Sequence, residues 1–454
     1  SLLWGRVVGS AGTPNPQIRF GEDLMSRVSY VMMNPDGREA MTVAVREAIS
    51  GLVDKVTREG GVERADILDC VFVGNPIMHH LFLGIDPTEL GGAPFALAVS
   101  GAVYTTAKAL GLALNEGTRV YLLPCIAGHV GADAAGATLA EGPHRQDDMM
   151  LLVDVGTNAE IVLGNRSRVV AASSPTGPAF EGAEISGGQR AAPGAIERVR
   201  IDPDTLEPRF RIIGAEQWSD EPGFAEACSA LGVTGICGSG IIEVIAEMYL
   251  AGIISEDGVV DGALAAKSPR IIQTGRTFSY LLRDGSPRIT ITQNDVRAVQ
   301  LAKAALYAGI KLLMDKQGID HVDNICFAGA FGSFIDPKYA MVLGLIPDCD
   351  LTRVKAVGNA AGTGARMALL NREHRREIEA TVRRIEKIET ALETKFQEHF
   401  VNAMALPNKT DPFPRLAEVV VLPARKVDAD GDGGPRRRSR EDRAARRGRT
   451  SNPG

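Results

Sequence analysis

Runs of apolar residues broken by short polar and glycine-rich clusters divide this chain into segments of strand and helix length. The most informative run is Leu151-Leu152-Val153-Asp154-Val155-Gly156-Thr157-Asn158-Ala159-Glu160-Ile161-Val162-Leu163. It is apolar on both sides of a small polar centre, which predicts a buried strand, a tight turn and a second strand. Three more segments share one form, an apolar strand running into small residues. They are residues 120–136, 325–333 and 354–365. Residues 38–58 carry Ala40, Val43, Ala48, Ile49, Leu52 and Val53 near helical spacing. Residues 67–73 predict a strand, and Gly74-Asn75-Pro76 then opens a helix. Residues 241–251 and 295–314 predict further helices. Asp336-Pro337 supplies another helix start. In residues 372–404, Ile378, Val382, Ile385, Ile388, Leu392 and Phe396 recur at steps of three and four. That spacing predicts one long amphipathic helix packed on the body.

This order predicts an α/β chain with mixed sheets flanked by helices. A polar break at residues 141–147 divides it into a first lobe, 1–147, and a second lobe, 148–371. The amphipathic helix of 372–404 follows, then a charged tail over 423–454 that is too polar to bury a core. With 454 residues and 44% hydrophobic content the chain is in the globular range. It has no apolar run long enough to cross a membrane and no recognisable signal peptide. Its six cysteines, none closer than nine positions to another, fit a reducing cytoplasm rather than a disulfide framework. A net charge of −6 argues against nucleic-acid binding by the body.

The bend at 154–158 is the richest candidate for chemistry. A hairpin tip can aim backbone N–H groups and the Thr157 hydroxyl at phosphate oxygens, with Asn158 beside them. Gly156 allows close approach. Asp154 could hold Mg²⁺ through a water or orient an attacking water. Its simpler role is to serve its own turn. Asp133, at the start of a predicted helix, is equally a metal or water-orienting group and a plain helix stabiliser. Gly187, Gly188 and Gln189 form a small-residue loop that could touch ribose or phosphate, or be only a turn. Gly358 and Asn359 could serve a hinge or a base. His79 and His80 are adjacent on a helix and face different ways, so a core or surface role is favoured over one shared metal. Cys125 and His129 are a possible metal pair without evident further ligands. Small residues at helical spacing after Val130 and after Gly358 would let two helices cross closely, with a nucleotide between hinged lobes.

The four glycine-bearing segments resemble the acetate and sugar kinase, Hsp70 and actin superfamily, the ASKHA proteins. Residues 154–158 match its second phosphate loop, and 327–333 its adenosine loop. The segments from Val130 and Gly358 match its two connecting helices. The chain is more closely similar to the reductive activators of corrinoid proteins. That pattern stands here as Asn15-Pro16-Gln17, Gly21-Glu22-Asp23, Leu123-Pro124-Cys125-Ile126-Ala127-Gly128, Asp154 to Ile161, Ile236-Cys237-Gly238-Ser239-Gly240 and Phe327-Ala328-Gly329-Ala330-Phe331-Gly332. It covers about residues 1–370. The resemblance implies two actin-like (RNase H-like) lobes. It also implies ATP and Mg²⁺ as cofactors, with Gly329, Ala330 and Gly332 as the adenine-side wall. The partners it implies are a corrinoid protein of a methyltransferase system and an electron donor acting through a ferredoxin domain or chain. A homodimer is compatible with it.

The departures matter too. Complete members carry an N-terminal 2Fe-2S domain, whose cluster needs four closely spaced thiolates. The six cysteines here lack that spacing, so the cluster is expected only in a missing N-terminal domain. The family's first phosphate hairpin should precede Ser1, so the chain looks N-terminally truncated, which counts against ATP turnover by this polypeptide alone. The expected function is ATP-dependent reductive activation, Co(II) to Co(I), with this chain as the nucleotide-binding, energy-coupling part. The alternatives are a small-molecule kinase of the same superfamily and a non-catalytic nucleotide-binding scaffold.

Overall fold

The central sheet shows why the hairpin of residues 151–163 reads as apolar throughout. In this computed structural model, which describes residue 2 and residues 4–423, that sheet has six strands. Their order is Val354–Gly358, Asn324–Ala328, Met150–Val155, Ala159–Gly164, Val169–Ser174 and Glu386–Lys387. The first three strands are parallel, the middle three form an antiparallel meander, and the last runs parallel to its neighbour. Both faces are covered, so both faces need apolar residues. Leu151, Val153, Ile161 and Leu163 enter the larger core, shared with the helix Gln293–Gln317. Leu152, Val162 and Ala171 enter a second core, shared with Ala134 and Ala137 of the helix Ala132–Glu141.

Nearer the N-terminus, Asp69–Phe72 pairs in parallel with Arg119–Leu122, which pairs antiparallel with Val103–Thr106. The helices Gly37–Gly60 and Pro76–Leu83 pack beside these strands, the second opened by the Asn75 side chain accepting from the Met78 N–H at 3.0 Å. Two smaller sheets complete the fold, one of Pro208–Ile212, Ala195–Ile201 and Gly235–Ile236, the other of Ile271–Thr274, Thr277–Arg283 and Ile289–Ile291. No helix among the described residues is long and apolar enough to cross a membrane.

The small residues expected to allow a close helix crossing do so. The helix Ala132–Glu141 meets the helix Ala360–Leu370 backbone to backbone. A Cβ on Gly364 would overlap the Gly136 carbonyl oxygen, and one on Gly136 would lie 2.9 Å from the Ala361 carbonyl oxygen. A larger side chain at either place would force the helices apart.

The single helix expected over 372–404 is not formed. Its residues divide into the helix Arg372–Val382, the strand Glu386–Lys387 and the helix Thr394–Asn402. The apolar steps of three and four serve separate cores rather than one stripe. Ile378 and Val382 pack with Tyr121 and Leu123, whereas Ile388 and Phe396 join the large core. Between them Glu386–Lys387 pairs with the free edge at Val170 and Ala171, ladder bonding that a continuous helix would forgo. The helix Gln293–Gln317 then anchors the segment beyond Asn402. Gln300 donates to the Met404 carbonyl at 2.8 Å, and buried Lys303 donates to the carbonyls of Ala405 and Pro407. The charged tail expected over 423–454 falls, from residue 424 on, outside the described residues.

Candidate functional site

Strand register builds the site. Asp154 stands near the end of Met150–Val155, opposite Glu160 across the hairpin and opposite Ala328 on the other side. Cross-strand partners share a face, so Asp154 and Glu160 point the same way. The bend between them is held from behind. Thr176 donates its hydroxyl to the Gly156 carbonyl at 2.7 Å, and the Gly177 N–H donates to the Thr157 carbonyl at 2.9 Å. The bends at 154–158 and 329–333 meet directly. Gly329 has φ +82°, and a Cβ there would overlap an Asp154 carboxylate oxygen.

Asp133 completes an acidic trio. The Ala132 N–H donates to the Gly74 carbonyl at 3.0 Å, which ties the start of the helix Ala132–Glu141 to the Gly74-Asn75 turn. Asp133 accepts from the Ala134 N–H at 2.9 Å. The trio borders a cavity of about 280 Å³ whose walls also include Glu22, Asp23, Arg27, Asn75, Met78 and His129, with Gly156, Thr157 and Asn158 at the bend. Desolvation, followed by the nearby Asp154, pushes the Asp133 carboxyl up to about 6. Desolvation also raises Asp154. It raises Glu160 well above the usual carboxyl range, with Asp133 and Asp154 adding to the effect. Burial lowers His129, which keeps that imidazole neutral at pH 7. Three clustered, desolvated carboxyls favour an incoming cation. Among the described residues no group of three or more ligating side chains is set at direct metal-binding spacing.

A second cavity, of about 440 Å³, adjoins the first through one hydrogen bond. The Thr157 hydroxyl donates to Glu181 at 2.9 Å, and Glu181 lines the second cavity with Arg190, Ser239, Ala330 and Phe331. Phe180 and Phe331 stack at 6.1 Å with a 17° tilt. Gly238 opens the helix Gly238–Leu250 here, and its missing side chain leaves room for the Phe180 carbonyl. A mostly apolar pocket with a few convergent polar groups has the character of a ligand site.

The expected site residues thus divide. Asp154, Gly156, Thr157, Asn158 and Asp133 border the acidic cavity, Gly329 lies against Asp154, and Ala330 borders the second cavity. Gly332 packs back on Phe327, where a Cβ would stand 3.2 Å from the Phe327 Cβ. Gly358, at φ +62°, pairs with Ala328, and Asn359 caps the helix Ala360–Leu370 by accepting from the Gly362 N–H at 2.7 Å. Gly187, Gly188 and Gln189 are engaged with a strand. The Ile236 N–H donates to Gly187, the Gln189 N–H donates to Ile236, and the Gln189 side chain donates to Thr234, each at 2.9 Å. Sequence reasoning assigned no role to Glu160, Arg27 or Glu181. Glu160 could have been found, because a hairpin with its bend at 156–158 pairs positions 154 and 160. Arg27, buried and donating to the carbonyls of Gly21 and Glu22, carried no such signal.

Comparisons with known proteins give the chain a family. Residues 148–417 match the family described as the C-terminal domain of RACo, the ASKHA domain. Residues 1–146 match the RACo middle region. The chain is 35% identical over 399 residues to the corrinoid activation enzyme RamQ of Eubacterium limosum, across 85% of this chain and 64% of that protein. It is 28% identical over 292 residues to a Co(II) methylated amine-specific corrinoid protein reductase of Methanosarcina barkeri, across 60% of this chain and 50% of that one. A solved reductive activator for corrinoid, iron-sulfur protein superposes with a TM-score of 0.76 at 34% identity, covering 89% of this chain and 63% of that structure. The chain therefore spans less than two thirds of the length of these relatives. With one family match covering more than half of its residues and a second covering the rest of the body, the chain belongs to the RACo family and carries its middle region and its ASKHA domain.

Proposed function

We propose that this chain is the nucleotide-binding, energy-coupling part of an ATP-dependent activator that returns a corrinoid protein from Co(II) to Co(I). The observation that carries this reading is the meeting of the 154–158 and 329–333 bends, where Gly329 abuts Asp154 and Thr157 joins the acidic cavity to the second one. A nucleotide would lie with its base near Phe331 and Ser239 and its phosphates toward Thr157, Asn158 and the acidic trio. Asp154 would hold Mg²⁺ through water, and the ion would neutralise phosphate charge. Asp133, at about 6, is suited to orient a water and take its proton near neutral pH. Closing the cleft on the triphosphate and reopening it after hydrolysis would bias a two-state arrangement of the lobes. That bias would drive the unfavourable reduction of cobalt in the bound partner. The electron would come from a 2Fe-2S ferredoxin domain or a separate chain, since the six cysteines here stand apart in sequence.

The test uses the complete protein with a Co(II) corrinoid protein and a low-potential reductant under anaerobic conditions. Visible absorption should show Co(I) forming with ATP and Mg²⁺ and not with a non-hydrolysable analogue. Equal Co(I) formation without nucleotide would overturn the reading.

A further inference from the structure

A third cavity, of about 240 Å³, lies behind the nucleotide region, between the helix Gly37–Gly60, the helix Pro76–Leu83 and the ends of two strands. Its walls are mostly apolar, with Val45, Ile49, Leu52, Phe72 and Leu122 among them. His79 lines it as well. That side chain is only 4% exposed, and neither ring nitrogen has a hydrogen-bond partner. The neighbouring His80 shows what this fold does with a structural histidine. One of its ring nitrogens is 2.9 Å from the Pro76 carbonyl, and the other accepts from the Ala98 N–H at 3.1 Å. An imidazole buried without partners is costly, and an apolar residue of similar size would fill the same place without that cost.

We propose that this cavity binds a small, uncharged, largely apolar ligand carrying one N–H or O–H group, which bonds to His79. Burial holds the His79 pKa down at about 4, so the ring is neutral and offers one N–H and one lone pair. Apolar walls around a neutral polar group disfavour a charged ligand. A dry cavity of roughly 150 Å³ already takes benzene, so a single ring or a small fused pair suits this one. Occupancy would also be felt at the nucleotide site. Met78 lines both this cavity and the acidic one, and Asn75, which borders the acidic cavity, caps the Met78 N–H.

The experiment labels the histidine rings with ¹⁵N in the nucleotide-free chain and titrates phenol, with toluene as the probe lacking a polar head. Phenol should shift the His79 ring signals saturably and bind at least tenfold more tightly than toluene. In His79→Leu that preference should fall to near unity. Ala48→Phe, which fills the cavity and leaves His79 in place, should abolish both affinities. No saturable shift with millimolar phenol, or an unchanged phenol-to-toluene ratio in His79→Leu, would overturn the proposal. Neither result bears on ATP binding or cobalt reduction, so this site and the proposed function fail separately.

Discussion

Replacing Asp133 by asparagine should make the metal-free protein more stable at neutral pH, although it removes a residue proposed to act in catalysis. Asparagine keeps an oxygen for the Ala134 N–H and removes one charge from the trio. Lifting a carboxyl from 3.8 to about 6 corresponds to about 3 kcal/mol, at roughly 1.36 kcal/mol per tenfold change in proton affinity. Asp133 keeps a little exposed surface at the cavity but its carboxyl is desolvated, so up to about 3 kcal/mol is expected. The sign follows from proton counting. The native carboxyl binds its proton more tightly than the unfolded one, so the cost of ionising it is absent below 3.8, grows between 3.8 and about 6, and is complete above that. The variant's advantage should therefore be full at pH 7.5 and about a third of that at pH 4.5. In thermal denaturation the gain at pH 7.5 should be roughly 2–4 °C. Added Mg²⁺ should raise the wild type more than the variant and narrow the gap, because a cation binds the ionised carboxylates. A variant less stable than wild type at pH 7.5, or a gain equal at both pH values, would refute an ionised, desolvated Asp133 in the native state.

Three further outcomes are expected. Asp154→Ala in the complete protein should lower ATP turnover at least a hundredfold by phosphate release, and a wild-type rate would remove Asp154 from the site. Gly364→Ala should destabilise the chain by roughly 2–4 kcal/mol in urea denaturation, because the new methyl overlaps the Gly136 carbonyl. A gain of up to about 1 kcal/mol, as alanine gives in an uncrowded helix, would show that the crossing is loose. Lys303→Met leaves the Ala405 and Pro407 carbonyls without their buried donor, so amide exchange over residues 404–411 should quicken, and unchanged protection would mean that Lys303 holds nothing.

The sequence was most legible where one local pattern had one physical meaning. The hairpin around Asp154 was clear because an apolar run on both sides of Gly156-Thr157-Asn158 leaves little else to form, and the crossing of two helices was clear from small residues alone. It was least legible where spacing served two masters. The apolar steps between Ile378 and Phe396 fit a single helix, yet Ile378 and Ile388 belong to different cores, and only the open edge beside Val170 explains the strand between them. The site shows the same limit. Asp133 and Asp154 were singled out by position relative to predicted elements, and the structure sets both on one cavity. The link from Thr157 to Glu181 spans 24 residues, and no local pattern announces it. The small residues at 187–188 suggested room for a ligand, whereas at Gly188 the room is taken by the Gly182 backbone.

The contact of Gly136 with Gly364 also fixes where two helix ends sit. Asp133 lies three residues from it, about 4.5 Å along its helix, while Leu370 lies six residues from it, about 9 Å along the other. Both positions are therefore within a few turns of the point where the two backbones touch. A bulkier residue at this one crossing would thus shift both the acid end and the Leu370 end, although it touches neither.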